Sequence, residues 1–357
     1  MAEEAVVAGL LQDAGATDLV VPAEWEPHER CIMAWVGADL ASTRLITAVK
    51  KDYALVARAV SDFEPVLMVA KPGFGPEAAA YCGPAVNVVE LPLGEAWLRD
   101  SGPIFARRNR TDLVAVDFLF NGWGTTLPAT AHGETIGASL AEWLRFERLA
   151  VPLVLEGGAI TTDGEGTLIA VETTILHERR NPGVSRATCE TAFREFLGVE
   201  RTIWLEHGLL EDRTGGHVDN VAAFVGPGRV LCQTVTDRDD PNHARLEANR
   251  AALEAAVDAR GRHLEVVELD VLPYRQWAGR RLALPYLNFY VGNGCVIVPL
   301  ACLPGDSEGL AHVRSVFPDR EVVGVPATNL ARRGGGAHCI TQQQPLAVSV
   351  SPAFSAA

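Results

Sequence analysis

A cysteine, a histidine and two aspartates stand in segments far apart in the chain, each in local sequence suited to chemistry. Gly334-Gly335-Gly336-Ala337-His338-Cys339-Ile340-Thr341-Gln342-Gln343-Gln344-Pro345 delivers one thiol at the end of a glycine-rich turn, where backbone can crowd a ligand, making Cys339 the candidate nucleophile. Trp97-Leu98-Arg99-Asp100-Ser101-Gly102-Pro103 ends an apolar run and sets Asp100 on a loop stiffened by glycine and proline. The segment His207 to Asn220 ends in Gly216-His217-Val218-Asp219-Asn220, and the i, i+2 spacing of His217 and Asp219 projects both side chains from one face of an extended backbone. The expectation is a convergence of thiol, imidazole and two carboxylates.

Several reactions use such a set. A papain-like peptidase needs only one residue behind its histidine, whereas a surplus of carboxylates suits a cation, because paired carboxylates hold a planar guanidinium by bidentate hydrogen bonds. The central carbon of a guanidinium is a poor electrophile, so a strong nucleophile must attack it while the cation stays protonated and charge-paired. His217 then protonates the departing nitrogen and later activates water. Taken singly, each residue has a plainer reading. Cys339 suits packing, His217 a satisfied structural histidine, Asp100 a pair with Arg99 or a turn cap, Asp219 a helix cap, and Glu156 before Gly157-Gly158 a turn after a buried strand.

The 357 residues, 48% of them hydrophobic and 33 of them glycine, suit a soluble α/β protein with ample core. The acidic start, Met1-Ala2-Glu3-Glu4-Ala5, is unlike a signal peptide, and no apolar run approaches the roughly 18 residues of a membrane span, so a cytoplasmic protein without a membrane partner is expected. Seven cysteines, scattered and never spaced Cys-x-x-Cys, fit neither a disulfide framework nor a zinc site. A net charge of −14 disfavours nucleic acid and attracts a cationic small substrate.

Elements that must position these residues alternate along the chain. Apolar, β-rich runs fall at 65–70, 86–91, 113–120, 151–155, 167–171, 221–225, 264–269, 295–299 and 321–325, and helical periodicity at 43–63, 134–146, 185–196, 243–259 and 307–317. No linker marks a boundary, so one catalytic domain over 1–357 is expected. Polar, glycine-containing motifs recur around Asp100, Glu156, His217, Asn288 to Asn293 and Cys339, at intervals of about 50 to 70 residues, which suggests about five strand-helix units offering loops to one centre.

Seven motifs resemble, in order, the agmatine deiminase family, the branch of the guanidine-modifying (pentein) superfamily that includes the bacterial peptidylarginine deiminases. They are Pro22-Ala23-Glu24-Trp25-Glu26-Pro27-His28-Glu29, Trp97-x-Arg99-Asp100-x-Gly102-Pro103, Phe120-Asn121-x-Trp123-Gly124, Glu156-Gly157-Gly158, Gly216-His217-Val218-Asp219, Asn288-Phe289-Tyr290 and His338-Cys339-Ile340-Thr341-Gln342-Gln343, spanning about 22 to 345. The resemblance implies a five-bladed α/β propeller of ββαβ-type units with the site at its centre, Cys339 as nucleophile, His217 as general acid/base, and Asp100 and Asp219 as guanidinium clamps. It further implies Glu156 in the pocket and Trp97 as a wall of it, with Trp123, Gly336, Asp212 and Arg213 completing the residues expected at the substrate. No metal or organic cofactor is implied. Agmatine is the leading substrate, hydrolysed to N-carbamoylputrescine and ammonia through a covalent thiouronium on Cys339. A homodimer is one arrangement the sequence leaves open.

Departures from the family pattern bear on the substrate tail. The run into the histidine motif, often acid-rich in relatives, here reads Asp212-Arg213-Thr214-Gly215-Gly216-His217, leaving fewer partners for an amine. Arg332 and Arg333 precede the nucleophile turn, and Thr125-Thr126 follows Trp123-Gly124 where Gly-Lys is expected. An arginine facing the pocket would suit a substrate carboxylate, so another guanidino compound, arginine-like, peptide-borne or a specialised metabolite, is the alternative. Amidino transfer, a binding protein without turnover and a cysteine peptidase are weaker ones.

Overall fold

A computed structural model describes residues 18–37, 43–124 and 136–347. The acidic start and Thr125-Thr126 lie outside the described residues.

All nine expected strands form, and local chemistry explains their limits. Thr167–Val171 and Val66–Ala70 are buried at every position, as continuous apolar runs covered on both faces require. The helix Arg186–Leu197 starts where Ser185 Oγ accepts the amide of Thr188 and stops at Gly198 in the left-handed region (φ 68°). The other four expected helices appear as Thr43–Ser61, Ile136–Leu144, His243–Ala255 and Asp306–Val316. Residues 134 and 135, at the start of one expectation, are outside the described set.

Among the described residues, five sheets repeat one pattern, an antiparallel pair followed by a helix and a strand parallel to the second member. Ile104–Arg108 pairs antiparallel with Asp112–Leu119, and Glu147–Val154 then adds in parallel. Ile160–Thr162, Thr167–Val171 and Arg201–Leu205 do the same. So do Ala222–Gly226, Arg229–Gln233 and Glu265–Leu269, and Tyr290–Gly292, Cys295–Leu300 and Glu321–Pro326. The remaining unit joins the chain's two ends: Thr341–Pro345 runs antiparallel to His28–Ala34, with Gln342 opposite Ile32, and Val66–Ala70 and Val86–Glu90 follow in parallel. Each sheet remains separate and open. A further hairpin, Tyr274–Trp277 with Arg280–Ala283, stands outside the pattern.

This arrangement explains the motif spacing. Asp100, Glu156, Asp219, Asn288 and Cys339 all lie in segments leading into the first strand of a unit, so five chemically distinct loops occupy equivalent positions. Apolar clusters fill the space between sheets and helices, such as the one formed by Val151, Leu153, Leu168, Ala192 and Phe193, leaving the polar loops as a separate buried centre.

Candidate functional site

Four of the five lead-in segments are single helical turns. Leu98–Ser101 is α-helical, and Gly157–Ala159, Val218–Asn220 and His338–Ile340 are 3-10 turns. Two expectations are thereby corrected. Asp100 sits in a helical turn rather than an open loop. His217 and Asp219 do not share the face of a strand, because the backbone folds into a turn directly after His217. The turn still brings both side chains inward, since neighbouring loops supply polar partners that a strand face would lack.

These turns are packed around an atom that is absent. A Cβ on Gly158 would lie 2.7 Å from Asp100 Oδ1, 2.7 Å from His217 Nδ1 and 2.9 Å from Asp219 Oδ2, so only glycine admits the three side chains there. Cys339 is 2% exposed, with Sγ 3.3 Å from Asn288 Oδ1 and 3.5 Å from Asp219 Oδ2. The Asn288 amide group donates to Asn220 Oδ1 (3.1 Å), which turns its oxygen toward the sulfur. Asp219 Oδ2 and Asn288 Oδ1 are acceptors that favour the protonated sulfur, and the backbone N–H of Gly336 opposes them. Burial, then the charges of Asp219 and Asp100, push its pKa well up.

His217 is fully buried, its Nδ1 3.7 Å from Asp100 Oδ1 and its Nε2 3.8 Å from Glu156 Oε2. Both separations exceed hydrogen-bond length, and neither ring nitrogen has a partner. Burial pulls its pKa down, but the carboxylates of Asp100, Glu156 and Asp219 outweigh it and lift the value to about 9. Burial raises Asp100 to about 6, with His217 opposing and Asp219 and Glu156 assisting. Asp100 accepts from the amide of Gly158 (3.1 Å) and the indole of Trp123 (2.9 Å). Trp123 itself stands at φ 59°, a left-handed conformation rare for a tryptophan. Glu156 is buried against Arg180, whose Nε lies 2.8 and 3.1 Å from its two oxygens; burial pushes its carboxyl up, but Arg180 first and then His217 hold it below the usual range.

The residues expected near the substrate tail divide into three groups. Asp212 gives both oxygens to its own loop, accepting from Thr214 N (2.8 Å), His217 N (2.9 Å) and Asn220 Nδ2 (2.9 Å), and so fixes the turn that carries His217. Trp97 and Gly336 border the sulfur. A Cβ on Gly335 would sit 2.5 Å from Trp97 Cζ3 and 3.0 Å from Cys339 Sγ, while one on Gly336 would meet Asn288 Oδ1 at 2.6 Å. Among the arginines, exposed Arg213 lies along Gly334, Arg333 stands 5.7 Å from the Trp97 ring centre, and Arg332 turns away to stack on Trp277 at 3.3 Å. A groove is bounded by Asp212, Arg213, Leu284, Asn288 and Gly334 to Gly336. It borders the glycine turn that precedes Cys339, and Cys339, His217 and Asp100 are not among its walls.

Residues 20–345 match the profile of the Porphyromonas-type peptidyl-arginine deiminase family. The chain belongs to this family. An agmatine deiminase of Stutzerimonas stutzeri is 38% identical, the match covering 91% of this chain and 95% of its relative. The solved agmatine deiminase of Enterococcus faecalis aligns with a TM-score of 0.88 at 30% identity, covering 94% of this chain and 99% of its own. A substrate-bound C. jejuni agmatine deiminase aligns at 0.83 over 93% of this chain and 97% of its own; at 24% identity it speaks to the fold alone. The fold is thus the α/β fold of the solved agmatine deiminases.

In this deiminase-family centre, sequence reasoning left four charged side chains without a role. Arg180 lies 24 residues from Glu156 and outside the motifs. Glu24, Arg99 and His338 stand inside quoted motifs, yet their mutual contacts span up to 314 residues. His338 Nδ1 lies 3.0 Å from Asp219 Oδ2 and its Nε2 2.9 Å from Glu24 Oε1, which also accepts from Arg99 Nη1 (3.2 Å). The one signal available was chain adjacency, His338 beside Cys339 and Arg99 beside Asp100. Among the described residues no helix is long and apolar enough to cross a membrane.

Proposed function

We propose that this chain is a hydrolytic guanidine deiminase acting on agmatine, a single catalytic domain in which the five repeated units form a five-bladed propeller around the site. The observation that carries the reading is the crowding of Asp100, Asp219 and His217 around the missing side chain of Gly158, with the Cys339 thiol on Asp219. The names of the relatives agree with it.

Charge balance explains how a thiol with a raised pKa becomes a nucleophile. Asp100, Glu156 and Asp219 are buried carboxylates and Glu24 a part-buried one, and Arg99, Arg180, His217 and His338 are the four cationic groups paired with them. With all eight charged the centre is neutral. A guanidinium adds one positive charge, and the thiol losing its proton restores balance, so substrate binding itself favours the thiolate.

The sulfur then attacks the guanidinium carbon and forms a C–S bond. Asp100 and Asp219 keep the charge on the remaining nitrogens. His217 gives its proton to the departing nitrogen as the C–N bond breaks, and ammonia leaves a thiouronium on Cys339. Neutral His217 takes a proton from water, whose oxygen adds to the same carbon. Breaking the C–S bond returns the sulfur and releases N-carbamoylputrescine. The unpartnered nitrogens of His217 suit a group that must exchange protons with two successive molecules.

A second reading keeps the chemistry and changes the tail. Arg213 and Arg333 flank the glycine turn, an arrangement that would favour a carboxylated guanidine, free or peptide-borne. Ammonia and ureido-product formation from agmatine, arginine, 4-guanidinobutyrate and a blocked arginine peptide separates the two, with Cys339→Ala as control. The expected result is the highest kcat/KM for agmatine and no turnover by the variant. Preference for the carboxylated members moves the assignment to the second reading, and turnover by Cys339→Ala removes the mechanism.

A further inference from the structure

His338 precedes the sulfur-bearing residue and is buried, and its ring reaches the same Asp219 oxygen as the thiol. Its two nitrogens meet two carboxylates, Asp219 Oδ2 at 3.0 Å and Glu24 Oε1 at 2.9 Å. Oxygens of ionised carboxylates accept only, so a ring satisfied on both sides carries both protons. Arg99 fixes this arrangement from below, its Nη1 donating to Glu24 (3.2 Å) and its Nε to the carbonyl of His338 (3.4 Å).

The consequence falls on Asp219. Its Oδ2 is occupied by His338 and the thiol, whereas its Oδ1 is buried without a partner. An unpartnered buried carboxylate oxygen is costly, and a guanidinium N–H would relieve it. Were the ring unable to donate, Asp219 would be free to rotate and spend either oxygen elsewhere.

We infer that His338 is a positioning residue for guanidine binding, holding the Asp219 carboxylate so that one oxygen stays committed and the other stays open to substrate. This rests on the deiminase reading for the identity of the cation. It does not require His338 to touch substrate.

Two isosteres separate orientation from charge. The side-chain nitrogen of asparagine lies where Nδ1 does and that of glutamine near Nε2, so His338→Asn keeps a donor to Asp219 and His338→Gln a donor to Glu24. Both remove the charge and one hydrogen bond. Holding Asp219 acts mainly on substrate binding, so the expected result is an agmatine KM at least about fivefold higher for His338→Gln than for His338→Asn, with kcat differing by less. The same pair is made in Cys339→Ala protein, where agmatine should raise Tm less for the glutamine than for the asparagine version. Equal KM values and equal Tm shifts overturn the inference and leave the deiminase reading standing. If the parent protein turns over no agmatine but binds it, and the two versions differ in that binding, the catalytic reading fails and the inference holds. Should either variant not fold, Glu24→Gln removes the far anchor of the ring and must raise KM more than it lowers kcat; an unchanged KM overturns the inference.

Discussion

Two rows of side chains of identical composition cross the buried centre, each reading arginine, glutamate, histidine, aspartate, and they differ in tightness. Arg99, Glu24, His338 and Asp219 are joined at 3.2, 2.9 and 3.0 Å. Arg180, Glu156, His217 and Asp100 are joined at 2.8 Å and then only at 3.8 and 3.7 Å. In the first row every histidine nitrogen is engaged; in the second neither is. The same four residue types therefore support two kinds of work. A ring bonded on both sides fixes a neighbour, while a ring held only by charge can take up and release protons at little geometric cost. The looser row also includes the carboxylate whose pKa is raised, Asp100, whereas Glu24 in the tighter row is lowered to about 2: burial raises it, but His338 and Arg99 overcome that.

The comparison breaks most visibly at His217. His217→Asn removes the proton carrier and should lower kcat for agmatine by about 10² to 10⁴, the range for losing general acid–base catalysis. Removing the imidazolium also leaves the Asp100 and Glu156 carboxylates without their cation, so Tm should fall as well. A loss of Tm as large as that in His338→Gln, with kcat nearly retained, would show that the two rows have the reverse roles.

The pH dependence is the next largest effect, and its sign follows from the loose row. Asp100 must be ionised to pair with the cation, so kcat/KM falls as pH drops below about 6. His217 must be protonated to release ammonia, so activity falls as pH rises through about 9. Outside these limits the loss approaches tenfold per pH unit. Glu24 stays ionised throughout this window. A profile flat between pH 5 and 10 would exclude both groups from the proton steps.

Much of this was legible in the sequence where one residue type carried its own signal. Thr167–Val171, apolar after its first residue, and Cys295–Leu300 carry their own signal in the sequence. Thr341–Pro345 was missed because Gln342, Gln343 and Gln344 look like surface, although every residue of the strand is buried. The side-chain nitrogen of Gln342 donates to the carbonyl of Pro103, 239 residues away. His28–Ala34 was missed for a related reason: its polar start buries His28 against Glu64 and Tyr290 from distant elements. The candidate centre followed the same division. Cys339, His217, Asp100 and Asp219 stand in loops whose glycines advertise close approach, whereas Arg180, Glu24 and the ring of His338 acquire meaning only from partners that the fold brings to them.

The smallest effect is the most discriminating, because it differs in sign between the rows. Asp100 has a folded-state pKa raised above its unfolded value, so its ionised form opposes folding at any pH above both. Asp100→Asn removes that cost and one of two good acceptor contacts, leaving a net gain; at pH 8 Tm should rise by about 2 to 4 °C, and near pH 4 the difference should vanish. Glu24 is the opposite case. Its folded-state pKa is depressed, so it contributes stability above the unfolded carboxyl range that is lost as pH falls toward about 2, and Glu24→Gln should lower Tm at pH 8. Thermal scans of both variants at the two pH values measure this directly. Like signs at pH 8 would mean that the rows share one electrostatic balance. Opposite signs would mean that the protein spends stability in the row that moves protons and recovers it in the row that holds Asp219 in place.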